Sequence, residues 1–119
     1  MKIVHADMVN ALVKPDLAIY QSLVEGDMHM LHMGIGVSGE AGELIDAIKK
    51  YVIYRKELDR DNVVEELGDI EFYMEGLRQG LGITREETLE ANIQKLGKRY
   101  QDGYSDEAAQ ARADKNSGE

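Results

Sequence analysis

Apolar residues recur along most of this chain at intervals of three, four and seven, the period of helices with one buried face. Met30, Met33, Val37, Leu44, Ile48 and Tyr51 form one such stripe and predict a long helix from Met28 to Tyr54. Val63, Leu67, Ile70, Met74, Leu77 and Leu81 form a second, separated from the first by the polar run Arg55-Lys56-Glu57-Leu58-Asp59-Arg60, which reads as a turn. Gly80 and Gly82 stop that helix, and Thr84 with Glu87 makes a capping box for another whose apolar face is Leu89, Ile93, Leu96 and Tyr100. Upstream, a segment from about Ile3 to Val13 ends near the single proline, Pro15, which suits the opening turn of a short helix through Leu17, Tyr20 and Leu23. Gly26 and Asp27 then break the pattern. After Gly103 the chain turns polar and small, with a helical turn or two from Ser105 to Ala113 and a frayed end at 116–119. The expected fold class is therefore all-α, a helical bundle of about four main helices. It forms a single domain over residues 1–119, with a core over about 16–100 and a polar tail over 101–119.

The polar positions carry a second pattern. Val37-Ser38-Gly39-Glu40-Ala41-Gly42-Glu43-Leu44 and Val63-Val64-Glu65-Glu66-Leu67-Gly68-Asp69-Ile70 read almost alike, each with two carboxylates three residues apart. On a helix such pairs share a face, so Glu40 with Glu43, and Glu66 with Asp69, each aim at a common spot. Both pairs flank an apolar stripe, which places the acids at the edge of the bundle. Gly42 and Gly68 precede the second acid of each pair, where a missing side chain lets a backbone or ligand come close. Two like charges about 4 Å apart repel by about 4 kcal/mol at an effective dielectric near 20, so four gathered carboxylates need protons or cations. The natural guest is a hard divalent cation.

Composition narrows the classes. A formal net charge of −9 argues against broad binding to nucleic acid or anionic membranes, which draws on clustered Lys and Arg. With no cysteine, disulfides, thiolate nucleophiles and Cys-ligated zinc are excluded, in keeping with a reducing compartment. Neither a signal-peptide pattern nor an apolar run of about 18 residues is present, so the expectation is a soluble cytoplasmic protein.

With these residues in place, the chain resembles the MazG-like nucleoside triphosphate pyrophosphohydrolases, and in detail their short single-domain forms found in phages. The resemblance spans roughly Leu31 to Lys115. The family signature, Glu-x-x-Glu followed at an interval by Glu-x-x-Asp, falls on Glu40, Glu43, Glu66 and Asp69. A further element, Asn-x-x-Lys-x-x-x-Arg, falls on Asn92, Lys95 and Arg99. Gly39 stands where many relatives carry another Glu, leaving one fewer acidic group for metal or water. The resemblance implies hydrolysis of a nucleoside triphosphate between the α and β phosphates, to the monophosphate and pyrophosphate. It implies Mg²⁺, with Mn²⁺ as a substitute, held by Glu40, Glu43, Glu66 and Asp69. Glu43 is the nominated general base, with Glu40 as the other catalytic carboxylate, and Asn92, Lys95 and Arg99 hold the triphosphate tail. It also implies a homodimer or homotetramer, located in the host cytoplasm if the chain is phage-encoded.

Plainer readings stand beside these. Acids on helices are usually solvated, and Asn92, Lys95 and Arg99 also suit a solvated face beside the Leu89 to Tyr100 stripe. His29 and His32 read as packed or hydrogen-bonded residues rather than ligands, and Met28, Met30 and Met33 as core filler. The basic residues over 49–56 suit either an anion or a snorkelling helix end. Arg112, Asp114 and Lys115 match a tail segment of the phage-type relatives and equally suit salt bridges to a neighbouring subunit. The rival function is an acidic helical interaction protein, a DNA mimic or inhibitor without catalysis, which would want its acids spread over a broad surface. A carboxylate-bridged iron bundle ranks lower, because neither acidic pair has a His three residues on.

Overall fold

The computed structural model describes residues 2–112 and 115. They form helices α1 (His5–Leu12), α2 (Asp16–Ser22), α3 (Asp27–Val52), α4 (Arg60–Leu81), α5 (Arg85–Arg99) and α6 (Asp106–Ala111), with no strand among the described residues. The class is all-α, as the apolar period requires. The expected helix end at Ala113, the tail residue Asp114 and the expected frayed end lie outside the described residues.

Local chemistry sets the boundaries. Left-handed Gly26 (φ 95°) caps the start of α3, and the Asp27 carboxylate accepts the Val24 N–H at 2.9 Å. Asp59 caps α4 by accepting the Asn62 N–H at 3.0 Å, and left-handed Gly82 (φ 68°) ends it. Gly80 does not stop the helix as expected; it lies inside α4, where the chain still closes its turns. The capping box on Thr84 and Glu87 opens α5 as read from the sequence, with the Glu87 N–H donating to the Thr84 hydroxyl at 3.0 Å. At the far end of α3, Lys50 pairs with Asp46 at 3.2 Å, and Lys49 lies over the Tyr54 ring. That end of the basic run is thus occupied by local partners.

The packing that matters is the antiparallel hairpin of α3 on α4. His29 meets Gly80, Met33 meets Gly76, Tyr73 lies over Gly36, and Glu40 faces Glu66 and Asp69. Contacts therefore recur at 29, 33, 36 and 40 on one helix and at 80, 76, 73 and 69 on the other. These intervals of four, three and four are the spacing of a coiled-coil seam. Along it a large side chain on one helix meets a glycine on the other, which draws the backbones together. The His29 ring also donates from Nε2 to the Gly76 carbonyl at 2.9 Å. The close approaches occur at Gly36, Gly76 and Gly80 rather than at Gly42 and Gly68, where a Cβ would meet nothing within 4 Å.

Away from the hairpin little is buried. Among the described residues only Met33, Ala47 and Arg78 are buried, while Leu67, Tyr51, Leu89, Ile93 and all of residues 2–24 are exposed. Arg78 is held by Glu75 at 3.0 Å, with Glu71 at 3.9 Å. The radius of gyration is 20.2 Å, against about 13.5 Å for a compact chain of this length.

Candidate functional site

Continuing the seam beyond Gly36 and Tyr73 brings it to the acids. Glu40 on α3 comes together with Glu66 and Asp69 on α4, one carboxylate oxygen of each lying within 4.8 Å of the others. Glu40 and Glu66 are half-buried and Asp69 is exposed. This revises the expected placement in part: Glu40 and Glu66 lie in the helix-helix seam itself, while Asp69 and Glu43 are exposed at its edge. The physical reason is register: intervals of four and three carry the contact line from His29 and Met33 through Gly36 to Glu40, one residue round from the apolar stripe.

Electrostatics mark Glu66 as the strained member. A hydrogen bond shared with Glu40 pushes its carboxyl up to about 7, helped by burial and then by the charges of Glu40, Asp69 and Glu43. No basic side chain is among the groups that shift it. Its Oε2 is buried with no hydrogen-bond partner, an arrangement that is costly in a carboxylate unless a proton or cation serves it.

These residues fit a hard divalent cation. All donors are carboxylate oxygens, the chemistry Mg²⁺ and Mn²⁺ prefer. Opposite corners of a Mg²⁺ octahedron stand about 4.2 Å apart, close to the 4.8 Å limit of the cluster. Glu43 is exposed and lies outside this oxygen cluster, though its charge acts on Glu66.

Helix α5 is not brought to the acids within one chain. Asn92 and Lys95 are exposed on it. Arg99 is half-buried and lines a cavity of about 340 Å³ with Lys98, Tyr100, Ser105 and Ala108, where the end of α5 meets α6. At that corner the Tyr104 hydroxyl donates to Asp106 at 2.7 Å, which raises the phenol above its usual range.

The family model of the MazG nucleotide pyrophosphohydrolase domain matches residues 30–104. The chain belongs to the MazG family. The matched segment holds nearly all of α3, the whole of α4 and α5, and thus all four acids and the α5 set, while α1 and α2 precede it. MazG membership makes the chain a hydrolase of the nucleotide pyrophosphohydrolase kind at the level of the family. Neither the curated proteins nor the solved structures compared with the chain gave a match. No helix among the described residues of this MazG chain is long and apolar enough to cross a membrane.

Three pairings along the seam that leads to the acids escaped the sequence reading, His29 with Gly80, Met33 with Gly76, and Tyr73 with Gly36, although His29 as a packed or hydrogen-bonded residue and Met33 as core were expected. Tyr73 also stacks edge-on with Phe72 and lies 6.2 Å from the His32 ring, centre to centre. The signal was present as large-against-small alternation at heptad spacing, but an apolar count does not register glycine, histidine or glutamate as seam residues.

Proposed function

We propose that this MazG chain is a Mg²⁺-dependent nucleoside triphosphate pyrophosphohydrolase. It hydrolyses ribo- or deoxyribonucleoside triphosphates between the α and β phosphates to the monophosphate and pyrophosphate. The observation that carries the reading is the meeting of Glu40, Glu66 and Asp69, with one Glu66 oxygen buried and unpartnered, inside the family's matched segment. Glu40, Glu66 and Asp69 would hold the cation, with Glu43 at the margin of the set and Mn²⁺ as the substitute for Mg²⁺. When bound, the cation neutralises charge on the leaving pyrophosphate and lowers the pKa of the attacking water.

The remaining work falls to side chains. Glu43, exposed beside the cluster, accepts the proton of the water whose oxygen attacks the α phosphorus, and Glu40 supports that proton transfer. The bond from the α phosphorus to the bridging oxygen breaks, and pyrophosphate leaves with the electron pair. Asn92, Lys95 and Arg99 hold the triphosphate tail from α5, which reaches the acids in an assembled homodimer or homotetramer. The whole chain acts as one MazG-like domain in the cytoplasm, the host's if phage-encoded, without nucleic acid or membrane partners. Acids concentrated on a seam, rather than spread over a surface, favour this reading over an acidic interaction protein.

Replacing Glu66 tests the assignment. Glu66→Gln is expected to lower turnover of nucleoside triphosphate by about a hundredfold or more while circular dichroism shows unchanged helical content. Turnover within a few-fold of the unmodified chain would remove Glu66 from the site.

A further inference from the structure

We propose that the N-terminal arm of one chain, helices α1 and α2, docks along the outer face of α3 of a second copy. The inference rests on the oligomeric reading given above and names the device that builds the assembly.

The arm is apolar and unused. Val4, Met8 and Leu12 follow one another at intervals of four, with Val9 and Val13 beside them, and Leu17, Tyr20 and Val24 continue the pattern; all are exposed. The side-chain hydrogen bonds within the arm are local, from the Leu17 N–H to Asp16 and from the Ser22 hydroxyl to the Ile19 carbonyl. Such a segment gains its burial from another surface. It also precedes the segment matched by the MazG model.

The receiving face lies on the side of α3 turned away from α4. Met30, Leu31, Gly34, Ile35 and Ser38 line an open, mainly apolar groove of about 590 Å³, closed at one end by Asp27 and by Leu23 from the end of the chain's own arm, with Met30 at 40% and Ile35 at 61% exposure. At about 1.5 Å per residue, the stretch from Met30 to Ser38 and the whole of α1 (His5–Leu12) are each about 12 Å long, so a helix the size of α1 fills it end to end. No residue of the chain's own α1 lines this groove; of its own arm only Leu23, at the end of α2, touches it.

Area and charge favour a second copy as the occupant. The accessible surface is 9987 Å², whereas a folded monomer of this mass exposes about 6,500 Å². The excess, about 3,500 Å² for each chain, is more than enough for an obligate interface of about 2,000–5,000 Å² counted over both partners. Arm and groove belong to the same molecule, so two copies satisfy both at once in a closed, two-fold exchange. Lys2 and Lys14 balance Asp7 and Asp16, leaving the arm neutral on a chain of net charge −9. Copies that repel elsewhere therefore meet through a neutral segment, while two lysines are too few to recruit nucleic acid or an anionic membrane.

The chain has no cysteine, which permits a direct test with two full-length single-cysteine variants. Leu12→Cys, carrying a size tag, and Ile35→Cys are mixed, oxidised and separated without reductant, with Leu12→Cys plus Glu57→Cys as the control. The expected result is a mixed disulfide dimer, in several-fold higher yield than in the control. In parallel, Leu12→Asp weakens self-association by about tenfold or more in sedimentation, with helical content kept. An oligomer that forms no mixed disulfide, or is unmoved by Leu12→Asp, overturns the arm exchange while leaving the assembly standing. A monomer at all concentrations overturns both.

Discussion

A carboxyl held near 7 in the folded chain keeps a proton that the unfolded chain releases around its ordinary value of 4.5, and Glu66 is such a group. Below 4.5 both states bind the proton and nothing is lost. Between about 4.5 and 7 the folded state binds more protons, so stability falls as pH rises, and above 7 the penalty is complete. In the presence of a chelator, the melting temperature of the unmodified chain is therefore expected to fall relative to that of Glu66→Gln as pH rises from 5 to 8. Added Mg²⁺ or Mn²⁺ recovers the loss at pH 8 in the unmodified chain and has little effect on the variant. Parallel pH curves for the two proteins would contradict the strain assigned to Glu66. The sequence showed the four acids because pairs three apart repeat in matching contexts. It did not separate Glu66 from Glu43, because burial of one oxygen and the hydrogen bond to Glu40 depend on how deep each residue sits in the seam.

At the scale of the element, α3 and α4 are held by large side chains set against glycines, so the glycines differ sharply in what they tolerate. A Cβ on Gly36 would strike the Tyr73 ring, whereas one on Gly42 would meet nothing within 4 Å. Gly36→Ala is expected to destabilise the chain by about 1–3 kcal/mol. Gly42→Ala should gain up to about 1 kcal/mol from helix propensity. Urea unfolding of both variants checks this pair, and equal effects at the two positions would contradict the register. The helices themselves were legible, because Thr84 with Glu87 and Gly82 are local signals that act within one turn. The line of contact was not, because it runs through His29, Gly36, Glu40 and Tyr73, which an apolar stripe passes over. Gly80 was misread as a stop for the same reason: its missing side chain serves His29, 2.7 Å from where a Cβ would stand.

The whole molecule is far from compact as a single chain, with apolar residues on α1, α2, α3 and α5 facing outward. Exposed apolar faces on this scale find cover in association, and sedimentation at micromolar concentration is expected to show a dimer or tetramer. A monomer there would leave Asn92, Lys95 and Arg99 apart from the acids and the tail-binding role without a structure. Amphipathic stripes announced these faces in the sequence, yet which face meets which surface is settled by tertiary geometry that spacing does not carry. The central claim, that the gathered carboxylates serve a triphosphate through a divalent cation, is tested most directly by the products. The purified chain is incubated with Mg²⁺ and a panel of ribo- and deoxyribonucleoside triphosphates, and the products are separated. Monophosphate and pyrophosphate, abolished by chelation, are predicted; diphosphate and phosphate, or no turnover of any nucleotide, would contradict the account.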